Sequence, residues 1–153
     1  MFADLAVHFL ELRRSLERAD RVLSAELPAP PSRLIYPPPA FEPAEVERQN
    51  AAMNDTLIAQ PALATIEMGL HEQLARIGVR PDCVAGHSYG EFVALWAAGV
   101  LTADDLLRVS AARGAAIRNA QKVPGGMQSV SFEAASAIWC WLAPSTLQLR
   151  RRA

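Results

Sequence analysis

The residues best suited to covalent chemistry lie in one stretch, Asp82 to Glu91, which reads DCVAGHSYGE. A short apolar run leads into Gly86-x-Ser88-x-Gly90, and a helical pattern begins immediately afterwards. This order predicts a nucleophile elbow, in which a strand turns sharply into a helix and exposes the serine hydroxyl at the turn. Both glycines are expected, because only glycine lets the strand and helix backbones approach so closely. Ser88 is therefore the candidate nucleophile.

A nucleophilic serine needs a group that stabilises developing negative charge and a base that removes its proton. The start of the following helix supplies unpaired N–H groups, so the backbone N–H of Tyr89 is the first candidate oxyanion donor. The chain has three histidines, His8, His71 and His87. We expect His8 and His71 on solvated helix faces, while His87 points to the opposite side from its neighbour in the strand. The residues alone therefore indicate no base for the serine.

Three motifs occur in a definite order along residues 1–130: AQPAL at 59–63, GHSYGE at 86–91 and SAARG at 110–114. Together they resemble the malonyl-CoA:acyl carrier protein acyltransferase family, and most closely the acyltransferase domains of polyketide and polyunsaturated fatty acid synthases. The resemblance implies an acyl ester on Ser88, an acyl-CoA donor and the phosphopantetheine thiol of an acyl carrier protein as acceptor. It implies no metal or redox cofactor, and it adds other synthase domains as partners.

The resemblance also assigns roles to further residues. Arg113 lies within a helical pattern, where an arginine usually faces solvent, but the small residues around it leave room for a guanidinium that reaches inward. Its planar fork pairs bidentately with a carboxylate, and the resemblance makes it the group that binds the free carboxylate of a malonyl-type substrate. Gln60 reads by itself as a cap or turn residue before Pro61, whereas the resemblance places it near the pocket. The elbow residues implied are Gly86, His87, Gly90 and Glu91.

Two parts of the family's catalytic apparatus have no counterpart in this sequence. The family's catalytic histidine follows the serine by more than the 65 residues that remain after Ser88, and none of those residues is histidine. The glutamine-containing loop that supplies the second oxyanion donor should precede the first helix, where this chain begins. We therefore expect a truncated core whose transfer activity is impaired.

The hydrophobic periodicity predicts an α/β fold: a partial α/β-hydrolase-like core with a short parallel sheet, surrounding helices and no ferredoxin-like subdomain. Helices are predicted at about 1–25, 43–53, 61–77 and 102–119, with a buried central helix directly after the elbow. Residues 28–43 hold 7 of the 11 prolines and are expected to form an extended loop, anchored in part by Phe41, although such a segment could also bind a partner in polyproline conformation. Residues 131–153 are expected to form a divergent tail.

The amino-acid composition and net charge reduce the number of protein classes to consider. Hydrophobic residues make up 51% and charged residues 20% of the 153, which is typical of a globular domain. A net charge of -1 gives no electrostatic reason to expect a nucleic acid or an anionic membrane as partner. Cys83 and Cys140 lack metal-ligand spacing, and Cys83 is expected to be buried. No signal peptide or membrane span is predicted, so we expect a cytoplasmic protein.

Two other functions remain open. A serine esterase or thioesterase of the α/β-hydrolase type would also use the elbow, but it leaves Glu91 and Arg113 without a role. A non-catalytic remnant of a synthase would fit the absence of a histidine base and the proline-rich loop.

Overall fold

The computed structural model describes residues 3–120 and the backbone of residues 141–142. Within these ranges the fold is mostly helical. The elements in chain order are α1 (Ala3–His8), α2 (Leu10–Val22), α3 (Pro31–Ile35), α4 (Pro43–Asn54), α5 (Thr56–Arg76), β1 (Cys83–Val84), α6 (Gly90–Ala97), α7 (Ala103–Ala120) and β2 (Trp141–Leu142).

Helix α5 is the centre of the packing, because it makes the most extensive helix contacts of the fold, with α2 and with α7. One apolar cluster joins α2, α5 and α7 to the elbow, and its buried members include Leu23, Met68, Leu106 and Leu107. A second cluster joins α1, α2, α3 and α5. The elbow therefore rests on the first cluster, at the side of α5 that faces α7.

Glycines allow α5 to approach both neighbouring helices closely. A Cβ added at Gly69 would lie 2.9 Å from the Cα of Leu12 in α2. A Cβ added at Gly114 of α7 would lie 2.4 Å from the carbonyl oxygen of Thr56, at the start of α5. The hydroxyl of Thr56 donates to the carbonyl oxygen of Gly114 at 3.2 Å, which fixes the crossing point of these two helices.

Several predicted helix boundaries were wrong. The helix predicted at 1–25 is two helices, because Phe9 adopts an extended conformation between them. Helix α5 starts at Thr56 and not at Pro61, since the Asp55 side chain caps it by accepting from the Leu57 N–H at 2.9 Å. Pro61 consequently lies inside the helix. The predicted start of α7 is correct, because Thr102 caps the helix by accepting from the Asp105 N–H at 3.1 Å, and its hydroxyl donates to the Asp105 carboxylate at 2.6 Å.

The proline-rich segment is not extended throughout. Pro31 begins the short helix α3, in agreement with the preference of proline for the first turn of a helix. Ser32 ties this helix to α2, because its backbone N–H and its hydroxyl both donate to the Asp20 carboxylate, at 2.8 and 2.6 Å. Phe41 is 93% exposed and does not anchor the segment, which contradicts the prediction.

The predicted parallel sheet is not found in the described part of the chain, where the only sheet is an antiparallel pair of two-residue strands. Cys83 faces Leu142 and Val84 faces Trp141 in this pair. Because the strand before the elbow has no parallel neighbour here, Cys83 is exposed rather than buried. For the same reason α6 is mostly half-buried, and Ala94 is its one buried residue.

Most of the predicted tail at 131–153 lies outside the described residues, and so does any test of the ferredoxin-like subdomain. Among the described helices, none combines the length and apolar character that crossing a bilayer requires.

Candidate active site

The stretch between β1 and α6 has the geometry of a sharp elbow. Strand β1 ends at Val84 and α6 begins at Gly90, so five residues reverse the chain direction. Ser88 lies within this turn with φ 55°, and it is the only non-glycine residue with positive φ in the described ranges. A side chain in this left-handed region costs about 1–2 kcal/mol, and such strain is concentrated at functional sites. The Ser88 side chain is exposed.

The two elbow glycines are not equivalent. A Cβ at Gly86 would lie 2.0 Å from the carbonyl oxygen of Gly90 and 2.4 Å from the backbone nitrogen of Glu91. A Cβ at Gly90 would meet no atom within 4 Å. Close backbone approach therefore requires glycine at the first position, while the prediction that it also requires glycine at the second was wrong.

The first turn of α6 leaves one backbone donor unused near Ser88. The N–H of Gly90 donates to the carbonyl oxygen of His87 at 3.0 Å, and the N–H of Glu91 donates to that of Ser88 at 3.4 Å. The N–H of Tyr89 has no acceptor among the described residues. This donor is adjacent to the serine at the positive end of α6, where it can stabilise an oxyanion.

Helix α7 brings Arg113 to the elbow. Its Nη2 lies 3.5 Å from the Ser88 Oγ, at the outer limit of a hydrogen bond. Its guanidinium carbon lies 5.7 Å from the centroid of the Phe92 ring in α6. Within the described residues, no carboxylate lies within 4.0 Å of Arg113. An unneutralised cation therefore stands beside the serine hydroxyl and is available to an anionic group.

The Tyr89 side chain points into the core, away from the exposed serine. It is 8% exposed, and its hydroxyl lies 2.7 Å from that of the fully buried Ser110 in α7. Burial raises the pKa of the Tyr89 phenol well above its ordinary value. This pair was not predicted from the sequence. The usable signal was a serine inside a helix, whose hydroxyl can bond to a carbonyl oxygen one turn back.

Gln60 is a helix residue of α5 and not the predicted cap or turn residue. It is 6% exposed, and its Oε1 atom is buried without a hydrogen-bond partner. No hydrogen bond joins it to Ser88 within the described part of the chain. Two turns along the same helix, Glu67 is half-buried, and this burial raises the pKa of its carboxyl group.

None of the three histidines is bonded to the Ser88 hydroxyl. His8 and His87 are exposed. The prediction that His71 is solvated was wrong, because its ring packs edge-on against Trp96 with centroids 5.0 Å apart. Within the residues that the structure covers, no group of three or more potential ligands could hold a metal ion. Glu91, the remaining residue of the motif, is an exposed acid in the first turn of α6.

Among the described residues, the site thus combines a strained, exposed serine, a Tyr89 N–H group without an acceptor and an Arg113 guanidinium without a carboxylate partner. Such a site can hold an acyl group on the serine and an anionic substituent at the arginine. Deprotonation of the serine would need a base from outside the described residues.

Comparison with known proteins identifies the family of the chain. The family model described as "Acyl transferase domain" matches residues 12–144. A highly reducing polyketide synthase of Penicillium soppii is 32% identical over 124 residues, which is 80% of this chain and 5% of that protein. Mycoketide-CoA synthase of Mycobacterium tuberculosis is 45% identical over 83 residues, covering 54% of this chain and 2% of that protein.

Solved structures give the same result. An acyl carrier protein S-malonyltransferase from Vibrio cholerae is 28% identical with a TM-score of 0.62, and the match covers 82% of this chain and 36% of that one. A malonyl-transacylase in complex with a type II polyketide synthase acyl-carrier protein is 30% identical with a TM-score of 0.65, covering 81% and 35%. This chain therefore spans about a third of the transacylases and 5% or less of these two synthases.

Proposed function

The chain belongs to the acyl transferase domain family, and on that basis we propose that Ser88 carries a malonyl-type acyl group from an acyl-CoA to the phosphopantetheine thiol of an acyl carrier protein. The observation that carries this proposal is the Arg113 guanidinium 3.5 Å from the Ser88 hydroxyl, without a carboxylate partner among the described residues. A neutral acyl group offers such a cation no negative charge to pair with. A malonyl group ends in a carboxylate that the guanidinium fork can receive.

The proposed reaction has two displacements. The Ser88 oxygen attacks the thioester carbonyl carbon, its proton passes to a base, and the CoA thiolate leaves and takes up a proton. The backbone N–H of Tyr89 would donate to the oxyanion of the tetrahedral intermediate. The carrier thiol then attacks the serine ester, and the serine oxygen regains a proton as the acyl group leaves.

No base is hydrogen-bonded to the Ser88 hydroxyl among the described residues. Since no histidine is hydrogen-bonded to the Ser88 hydroxyl, we propose that the chain alone transfers slowly. Loss of one member of a serine–histidine pair leaves only about 10³–10⁴-fold catalysis over water. A histidine supplied by another polypeptide would raise the rate.

The proposed experiment measures binding of the malonyl carboxylate separately from acyl transfer. A Ser88→Ala chain cannot be acylated, so isothermal titration with malonyl-CoA and acetyl-CoA reports the preference for the carboxylate. Hydrogen bonds to charged groups contribute about 1.5–3 kcal/mol, and because Arg113 is half-exposed we take the lower end. Arg113→Ala should therefore weaken malonyl-CoA binding about tenfold and leave acetyl-CoA binding unchanged.

The matched control is Arg118→Ala, since Arg118 lies on the same helix and pairs with Asp55 at 3.4 Å instead. Equal affinity of the unmodified pocket for malonyl-CoA and acetyl-CoA would contradict the proposal. Mass spectrometry of the chain with Ser88 intact should also find a malonyl ester on this serine. Release of free malonate without transfer to a carrier thiol would instead favour a thioesterase.

A further inference from the structure

Phe92 in α6 lies beside the arginine of the site. It follows Tyr89 by three residues in α6, so the two side chains lie on the same side of the helix. The guanidinium carbon of Arg113 lies 5.7 Å from the centroid of its ring, within the range of a cation–π contact. Phe92 belongs to the helix that was predicted to be buried, but its side chain is only half-buried and one face of its ring is open to the arginine.

The ring itself is fixed by its neighbours. It packs against the apolar cluster between α2, α5 and α7. It also stacks on Tyr89 with centroids 6.4 Å apart and an angle of 30° between the rings. Because these contacts hold the Phe92 ring, which we call the platform, it can fix the position of the long Arg113 side chain that lies on it.

A buried hydrogen-bond chain connects this platform to α7. The Ser110 hydroxyl donates its one proton to the carbonyl oxygen of Leu106 at 2.6 Å. Its 2.7 Å contact with Tyr89 must therefore be a bond in which the tyrosine hydroxyl donates to the serine oxygen. Ser110 precedes Arg113 by three residues on α7, so this bond ties the tyrosine under the phenylalanine to the helix turn that carries the arginine.

These contacts form a closed circuit. Ser88 is covalently joined to Tyr89, Tyr89 stacks on Phe92, Phe92 underlies Arg113, and Arg113 returns to Ser88 at 3.5 Å. Ser88 and Phe92 are the only groups in the described residues with a polar or ring contact to the guanidinium. Without the ring, the serine hydroxyl alone would hold the long arginine side chain in place.

We propose that Phe92 is a positioning residue, whose ring face holds the Arg113 guanidinium beside Ser88 so that it meets the carboxylate of the acyl group. This inference rests on the proposed function, since it deepens the role of the same arginine. Its consequence is that Phe92 contributes to the preference for carboxylated over neutral acyl-CoA without touching the substrate.

The experiment measures that preference in the full Ser88→Ala chain, as the ratio of the dissociation constants for acetyl-CoA and malonyl-CoA. Phe92→Leu keeps an apolar side chain of similar size but removes the ring face. It should lower the ratio about two- to fivefold, the size expected for a cation–π contact at a partly exposed site, by weakening malonyl-CoA binding alone. Phe92→Tyr should restore the ratio. The control Phe41→Leu makes the same change at a ring that is 93% exposed, and should have no effect.

A second measurement follows the arginine directly in the ligand-free chain. The Arg113 Nε–H proton should show an upfield ring-current shift in the NMR spectrum, and Phe92→Leu should abolish it. The inference is wrong if the unsubstituted chain shows no such shift. It is also wrong if Phe92→Leu weakens the binding of both thioesters equally, because that result would indicate a purely structural role for the ring. If Arg113→Ala lowers the ratio and Phe92→Leu does not, this inference fails while the proposed function stands. If Arg113→Ala has no effect, the proposed function fails as well.

Discussion

Replacement of the first elbow glycine by alanine should unfold the elbow, while the same change at the second should be tolerated. At Gly86, the added Cβ would lie 2.0 Å from the carbonyl oxygen and 2.1 Å from the carbonyl carbon of Gly90, and 2.4 Å from the nitrogen of Glu91. All three are backbone atoms, so no side-chain rotation can relieve the overlap. The chain must open between β1 and α6, and Ser88 must move with it.

The expected loss in the free energy of unfolding for Gly86→Ala depends on whether the atoms that the new Cβ meets can move away. Inserting a methyl group into a packed interior costs typically about 1–3 kcal/mol when side chains can adjust. Because the obstacle here is backbone, we expect a cost of about 3 kcal/mol for Gly86→Ala. The lower entropy of the unfolded alanine chain returns about 0.4–1 kcal/mol, which leaves a net loss of at least about 2 kcal/mol. Gly90→Ala has open space at the start of α6 and should stabilise the chain by up to about 1 kcal/mol.

Urea denaturation followed by far-UV circular dichroism measures both changes. A net loss of about 2 kcal/mol corresponds to a fall in melting temperature of roughly 4–8 °C for a chain of this size. Labelling of Ser88 by a serine-reactive phosphonate should be lost in Gly86→Ala below its melting temperature and kept in Gly90→Ala. Equal destabilisation by the two substitutions would refute the reasoning, because it would mean that Gly86 and Gly90 are packed alike.

Three further predictions concern the helices around the site. Gly114→Ala places a Cβ 2.4 Å from the Thr56 carbonyl oxygen, and the other nearest atoms are also backbone. As at Gly86, it should therefore destabilise the chain by about 3 kcal/mol in urea titration, and an unchanged free energy of unfolding would contradict this. Burial raises the folded-state pKa of Glu67, so the charged carboxylate lowers stability at pH values above the unfolded-state pKa of about 4.5. Glu67→Gln should therefore stabilise the chain more at pH 7 than at pH 4. Equal effects at the two pH values would contradict this. The hydrogen bond from Arg76 lowers the pKa of Glu11, so this ion pair stabilises the fold above about pH 4.5 and the stabilisation is lost as the pH falls through the folded-state pKa. Glu11→Gln should therefore make the free energy of unfolding depend less on pH in the acid range. An unchanged pH dependence would show that the pair does not contribute.

The local parts of the site could be predicted from the sequence. The elbow depends on residues 83–90 and on steric rules that act within a few residues, and the capping pair at Thr102 and Asp105 is equally local. The motif also predicts two glycines. Which of them is sterically required depends on the distances between backbone atoms in the folded turn, and these distances cannot be read from the sequence. The start of α5 was missed because Pro61 was taken as a helix start, while Asp55 caps the helix six residues earlier.

The sheet and the burial of α6 could not be predicted correctly from local patterns. An apolar run such as Cys83 and Val84 has strand character, but its pairing depends on segments distant in sequence. Here its partner is an antiparallel strand at residues 141–142, and the predicted parallel neighbours are not found among the described residues. The same applies to Cys83 and Phe92, whose exposure follows from what packs over them and not from their own hydrophobicity.

The position of Arg113 shows how a contact between helices can decide which face of a helix becomes functional. At Gly114 the α7 backbone touches the start of α5, so that side of α7 must face α5. One residue along an α-helix turns by about 100°, which directs Arg113 away from α5 and toward the elbow. Ser110 lies between these two directions, where it meets the Tyr89 hydroxyl. Because a larger residue at 114 would rotate or displace α7, Gly114→Ala should also lower the preference for malonyl-CoA, even though the glycine contacts neither Ser88 nor the substrate.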